Sequence, residues 1–299
     1  VQAVEFTDPM CSWAWGTEPK SRRLRWQYGD RIELRRVFVG IFSPGWEAPL
    51  LTEEGKQHPA AGMYYRPEEY FAVVTETTGA PYASPQHRPV HNSEDPCRVA
   101  IAARAQGADV AERVLRRLRE SLFVHGRPAD TVERALEAVA GVPGLDAARL
   151  AKDAVDPDTE AAWQADWAEA RRPNEDVINR QDKRPGRGAA QPQNGQLRYG
   201  LPCVLLRGPA GEVTVAGWCE WSVWESALAQ VAPGLPAAVR PLPSPAEAMA
   251  RWPTLTRAEV DELCGPGVSP PPGVRVHRWP GGEMWVSEDE AASGLWVAA

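Results

Sequence analysis

The succession of hydrophobic periods along the chain constrains its fold more than any single residue does. Residues 2–7 alternate apolar and polar side chains, and residues 32–40 are rich in β-branched and aromatic ones, so both read as strands. Between them Trp15, Leu24, Trp26 and Tyr28 stand among polar residues up to a stop at Gly29-Asp30, which predicts a helix over 15–28. From Pro67 the period turns helical, with helices expected at 67–78, 94–106, 109–123, 129–140, 146–154 and 158–171. Residues 204–207 and 212–216 flank the turn Gly208-Pro209-Ala210-Gly211 and predict a β-hairpin. Trp221, Trp224, Leu228 and Val231 then mark one face of a helix over 221–231. Strand-helix-strand and hairpin-helix halves share one sheet only if the helical block between them is an excursion from it.

The remaining segments carry weaker patterns. Residues 41–66 contain Pro44-Gly45 and no clean period, and read as a long loop. Residues 180–198 are polar and rich in Gly and Pro; their cations, Arg180, Lys183, Arg184, Arg187 and Arg198, are expected on a solvated, mobile loop or linker. Residues 233–245 are Pro-rich. Beyond them, helices near 244–250 and 256–264 and a ribbon at 275–278 and 283–286 resemble a minimal winged-helix module, whose exposed-looking tryptophans would offer a docking surface. The expected fold class is α/β, a thioredoxin fold with a helical insertion plus a small C-terminal α+β extension. Its segments are 1–66, the first half of that fold and a loop; 67–179, the insertion; 180–232, a loop and the closing β-β-α; and 233–299, the linker and extension.

Composition narrows the partners. Forty acidic against thirty-three basic side chains give a net charge of −7, and the extension carries Glu259, Asp261, Glu262, Glu283, Glu288, Asp289 and Glu290, so no nucleic acid partner is expected. No run of about 18 apolar residues exists, so no membrane-spanning helix is expected. Five cysteines, odd in number and widely scattered, read as reduced thiols, and with no basic-then-apolar leader at Val1–Phe6 the expected location is cytoplasmic; oligomeric state is not legible. No close Cys pair forms a zinc ribbon, and His87 and His91 are separated by a segment containing Pro89, so no metal site is expected.

One segment carries chemistry. Cys11 falls between the first strand and the first helix, where unpaired backbone N–H groups and the helix dipole favour a thiolate. Asp8-Pro9-Met10-Cys11-Ser12-Trp13-Ala14-Trp15-Gly16 resembles the DsbA-like branch of the thioredoxin superfamily, and within it the FrnE-like group, whose usual motif has a second Cys where Ala14 stands. The resemblance continues at residues 91–107, 122–126 and Tyr199-Gly200-Leu201-Pro202-Cys203, the last similar to the family's cis-proline loop. It implies a thiol-disulfide oxidoreductase with Cys11 as nucleophile, thiol or disulfide substrates, and Ala14 at the resolving position. Alanine cannot resolve a mixed disulfide, so it marks an introduced trap or a natural monothiol protein. Ser12, Trp13, Trp15, Leu201 and Pro202 are expected to bind substrate, with an exposed Leu201 backbone edge beside Cys11. Cys203 and His91 are possible accessories, weighed against a buried thiol and an ordinary surface histidine. Two alternatives stay open: an isomerase or transferase of small metabolites using glutathione or mycothiol as a bound thiol cofactor, and a non-catalytic protease-adapter-like protein.

Overall fold

The computed structural model describes residues 1–43, 57–58, 63–64, 67–83, 90–235, 239–279 and 282–296. A central sheet of order β2-β1-β7-β8 is built from β1 (Gln2–Thr7), β2 (Glu33–Phe38), β7 (Cys203–Gly208) and β8 (Gly211–Ala216). β1 runs parallel to β2 and antiparallel to β7, in a register that opposes Phe6 to Cys203. Period-2 alternation sends the strands' side chains to two buried faces. Val4, Phe6, Val37, Cys203 and Leu205 pack on the side that holds Cys11 and Trp13. Ala3, Val204, Leu206 and Val215 pack on the other, against Leu24 and Tyr28 of α2 (Glu18–Tyr28) and Trp221, Trp224 and Leu228 of α10 (Trp221–Val231).

The expected helix over 15–28 is two helices. α1 (Ser12–Trp15) ends at Gly16, whose missing Cβ leaves room for the Thr78 side chain, and α2 starts afresh at Glu18 with Pro19 in its first turn. Between the two sheet halves lie α3 (Pro67–Thr78), α4 (Glu94–Ala102), α5 (Ala108–Phe123), α6 (Val132–Ala138), α7 (Ala147–Asp153), α8 (Pro157–Ala170) and the short α9 (Glu175–Ile178). Leu115, Leu118 and Leu122 of α5 centre the insertion's core. This is a thioredoxin fold whose helical block leaves the sheet after β2 and returns at β7. Of the expected long loop at 41–66, most lies outside the described residues; β3 (Gln57–His58) and β4 (Met63–Tyr64) pair within it.

Two expectations are corrected. Residues 180–198 do not form a free linker: they carry a hairpin of β5 (Gln191–Gln193) and β6 (Gln196–Arg198), and Gly186, Ala189 and Ala190 are buried. Ala190 N–H donates to the Val177 carbonyl and Gln193 Nε2 to the Gly40 carbonyl, so this polar segment is hydrogen-bonded into the fold. The extension, α11 (Pro245–Arg251), β9 (Thr254–Thr256), α12 (Arg257–Cys264), β10 (Val274–Trp279), β11 (Gly282–Ser287) and α13 (Glu288–Ala291), has a third strand and a sheet of order β10-β11-β9. Of its tryptophans, Trp252, Trp285 and Trp296 are buried and Trp279 is half-buried.

α12 packs on α2, and ions seal that junction. Arg116 of α5 grips Glu259 of α12 through both guanidinium ends, at 2.9 and 3.0 Å, and donates to Glu120 at 2.7 Å. Arg22 Nε lies 3.1 Å from the same Glu259, and its Nη1 donates to the Thr254 carbonyl. Arg119 pairs with Glu18, and Lys20 with Glu262. Burial pushes the Glu18 carboxyl up, but Arg119, Arg22 and Arg116 outweigh it and hold it at about 2. No helix among the described residues is long and apolar enough to cross a membrane.

Candidate active site

Asp8 builds the turn that presents Cys11. One carboxylate oxygen accepts from Met10 N–H at 2.8 Å; the other accepts from Ile41 N–H and Ser93 Oγ–H, each at 2.9 Å. Cys97 Sγ lies 3.8 Å from that second oxygen. The turn places Cys11 as the N-cap of α1, where its Sγ accepts the Ala14 N–H at 3.4 Å. Residue 14 is thus the backbone donor to the sulfur, and its methyl group is buried where the family motif has a second thiol.

Cys11 lines a cavity of about 830 Å³, counting the open space at its mouth. Three regions enclose it. Met10 to Trp13 supply the sulfur side. Tyr70, Phe71, Tyr82 and Phe123 come from the insertion, with Phe71 stacked on Tyr82 at 3.5 Å. Residues 184–201 close the third side with Gly186, Gly188, Arg198, Gly200 and Leu201. Gly186 has φ +76°, and a Cβ there would overlap the Trp13 indole, so glycine lets this segment lie on the tryptophan. Ser12 Oγ is 3.1 Å from Tyr70 Oη, tying the sulfur turn to the insertion.

Several sequence-derived candidates meet here and others do not. Cys11, Ser12, Trp13 and Leu201 line the cavity, and the Leu201–Pro202 bond is cis. Leu201 is buried and meets the sulfur from the cavity wall. Trp15 points elsewhere: its Nε1 donates to the Pro81 carbonyl, and the Arg116 guanidinium lies 4.4 Å from its ring. Cys203 is a buried strand residue whose thiol burial pushes far up, and His91 is exposed away from the cavity. His87 lies outside the described residues. The expected thiolate is also corrected. Burial pushes the Cys11 thiol up to about 11; the Ala14 N–H and Arg198 pull the other way but do not prevail.

Sequence reasoning missed Arg198. Its Nη1 donates to the Tyr199 carbonyl at 2.9 Å, its Nε has no partner, and no carboxylate pairs with it among the described residues. Burial pulls this guanidinium down, and Cys11 and Asp8 partly offset that. The cavity lining holds Arg184 and Arg198 but no acid, histidine or lysine among the described residues. The available signal was position: Arg198 immediately precedes Tyr199-Gly200-Leu201-Pro202.

A thioredoxin family model matches residues 5–173, more than half of the chain. The chain belongs to this thioredoxin family. The match covers β1, the Cys11 turn and most of the insertion, whereas the wall at 184–201 lies beyond it. A ClpXP adapter protein, SpxH, from Shouchella clausii is 30% identical over 166 residues, 56% of this chain and 52% of that protein. A second SpxH, from Halalkalibacterium halodurans, is 28% identical over 155 residues, 51% and 48% of the two chains. This thioredoxin-family chain therefore spans about half the length of the curated relatives it matches. Among solved structures, a putative protein disulfide isomerase from Nitrosomonas europaea superposes with a TM-score of 0.54 at 14% identity, covering 76% of this chain and 95% of that one. A probable DsbA oxidoreductase from Streptomyces coelicolor gives 0.50 at 18% identity, covering 81% and 93%.

Proposed function

We propose that this is a FrnE-like thiol-disulfide exchange protein that works through one cysteine, Cys11, on small thiols and disulfides. The observation that carries the reading is the enclosure of Cys11 in an aromatic-walled cavity with alanine at position 14 and no second cysteine in the lining among the described residues. The walls around Cys11 and Leu201, which is itself buried, favour a small substrate. In the forward step the Cys11 thiolate attacks one sulfur of a disulfide, the S–S bond breaks, and the departing thiolate takes up a proton. A second thiol, with glutathione and mycothiol the expected types, loses its proton and attacks the mixed disulfide; Cys11 is released as thiolate and a new disulfide leaves. Because the Cys11 thiol is raised to about 11, the rate climbs with pH across the neutral and alkaline range.

Intact-mass spectrometry with bis(2-hydroxyethyl) disulfide tests this. The expected result is one adduct, absent in Cys11→Ser, removed by added thiol and forming faster as pH rises. Formation of the same adduct in Cys11→Ser, or none in the native chain at any pH, overturns it. The SpxH similarity favours a second, non-catalytic adapter reading, for which Cys11→Ser keeps full function.

A further inference from the structure

We propose that the cavity beside Cys11 is a binding site for a small organic carboxylate with a flat apolar body, whose carboxylate is held by Arg198. This rests on the small-substrate reading above only for its link to thiol exchange; the binding site itself is argued independently. Arg198 is half-buried with its Nε shielded from solvent, and a guanidinium so placed calls for a carboxylate, a phosphate or full hydrogen bonding. Arg198 has one bond to a carbonyl, an unpartnered Nε, and no ion pair among the described residues. Asp8, the acid whose charge acts on Arg198, already accepts from Met10, Ile41 and Ser93. Arg171 adds to the positive field: it too pairs with no acid among the described residues, its Nη2 donates to Gln193 Oε1, and burial and then Arg198 pull it down to about 10. Nothing in the cavity lining among the described residues neutralises these charges, so the missing partner is an anion from outside the chain.

The walls define the rest of the ligand. Trp13, Tyr70, Phe71, Tyr82 and Phe123 present ring surfaces, which favour a planar apolar body over a sugar or a chain of amides. Phosphate esters fit less well: of the two lining arginines Arg184 pairs with Asp182 at 2.6 Å, and the helix that begins at Ser12 spans only four residues, with its first donors facing Cys11. The commitment is therefore to a single carboxylate on an aromatic or similarly flat body.

The test compares 2-naphthoate with its neutral analogue 2-naphthamide by isothermal titration calorimetry on the full chain. The native protein is expected to bind the carboxylate about tenfold or more tightly than the amide, the scale of a charge-assisted hydrogen-bonded pair. In Arg198→Met that preference falls to about one while amide binding is retained, and Arg198→Lys keeps part of it. Cys11→Ser keeps the full preference while losing disulfide adduct formation, so failure of the exchange reading and failure of the carboxylate site give different results. Equal affinity of the native chain for both probes overturns the proposal without any variant. So does a preference that persists in Arg198→Met.

Discussion

Two sets of arginines, one buried at the junction of α2, α5 and α12 and one half-buried beside the cavity, are treated in opposite ways. At the junction of α2, α5 and α12, Arg22, Arg116 and Arg119 each meet a carboxylate, and Glu259 serves two of them at once. Beside the cavity, Arg198 and Arg171 meet carbonyls and an amide oxygen, and no acid among the described residues. Burial penalises charge in both places, so the difference is in what offsets it. The junction is closed within the chain, and its charges fix how the extension sits on the family core. The cavity side is left open electrostatically, which is the condition of a site that completes itself with a ligand.

The comparison is most sharply broken by removing the shared acid of the junction. Glu259→Ala leaves Arg116 and Arg22 buried beside each other with their strongest partner gone. The expected loss is about 3–5 kcal/mol of unfolding free energy, read from the denaturant midpoint at constant slope. A loss below about 1 kcal/mol, the scale of an exposed pair, would mean that the junction is solvated and that pairing there holds nothing.

Acid should find the junction before it finds the cavity. His125 lies edge-on to Trp296 at 4.7 Å, linking the insertion to the end of the extension, and burial holds its imidazole down at about 4 against an ordinary 6.5. The unfolded chain takes up that proton first, so the His125 contribution is present above about 6.5 and is lost as pH falls towards 4. Glu18 and Glu112, held at about 2, contribute above about 4.5 and lose it as pH falls towards 2. Thermal melts from pH 7 to pH 2 should therefore show two successive declines, with the first absent in His125→Gln. A single decline confined below pH 4.5 would remove His125 from the account.

Next in size is Gly186→Ala. The residue must keep φ near +76° and place a methyl group into the Trp13 ring, so about 2 kcal/mol of stability is expected to go, with Trp13 displaced from the cavity wall. An unchanged denaturant midpoint would show that the 184–201 wall is not seated on Trp13. This position also shows why the sequence was legible only in part. Strands, the insertion and the Cys11 turn follow from periodicity and from one nine-residue motif, because each is specified by neighbours close in sequence. The third wall is specified by contacts between residues far apart, such as Gly186 with Trp13 and Gln193 with Gly40, and its polar, Gly-rich composition is the same as a solvated loop's. Trp15 failed for the converse reason: it belongs to the motif, but its side chain is committed to Pro81 and Arg116 and does not line the cavity.

The smallest expected effect on stability is the most instructive one. Arg198→Met removes a hydrogen bond to the Tyr199 carbonyl, a loss of about 1 kcal/mol, and also removes a half-buried charge that Asp8 only partly offsets, a gain of similar size. The denaturant midpoint should therefore move by less than about 1 kcal/mol in either direction, while at the junction the loss is several times larger. The same variant should make Cys11 harder to ionise, since Arg198 is one of the groups that pull its thiol down, and iodoacetamide should then modify Cys11 more slowly at a fixed pH above neutral. A large loss of stability would place Arg198 with the junction arginines as a structural charge. Unchanged stability together with slower Cys11 modification would mark it as a charge kept for what enters the cavity.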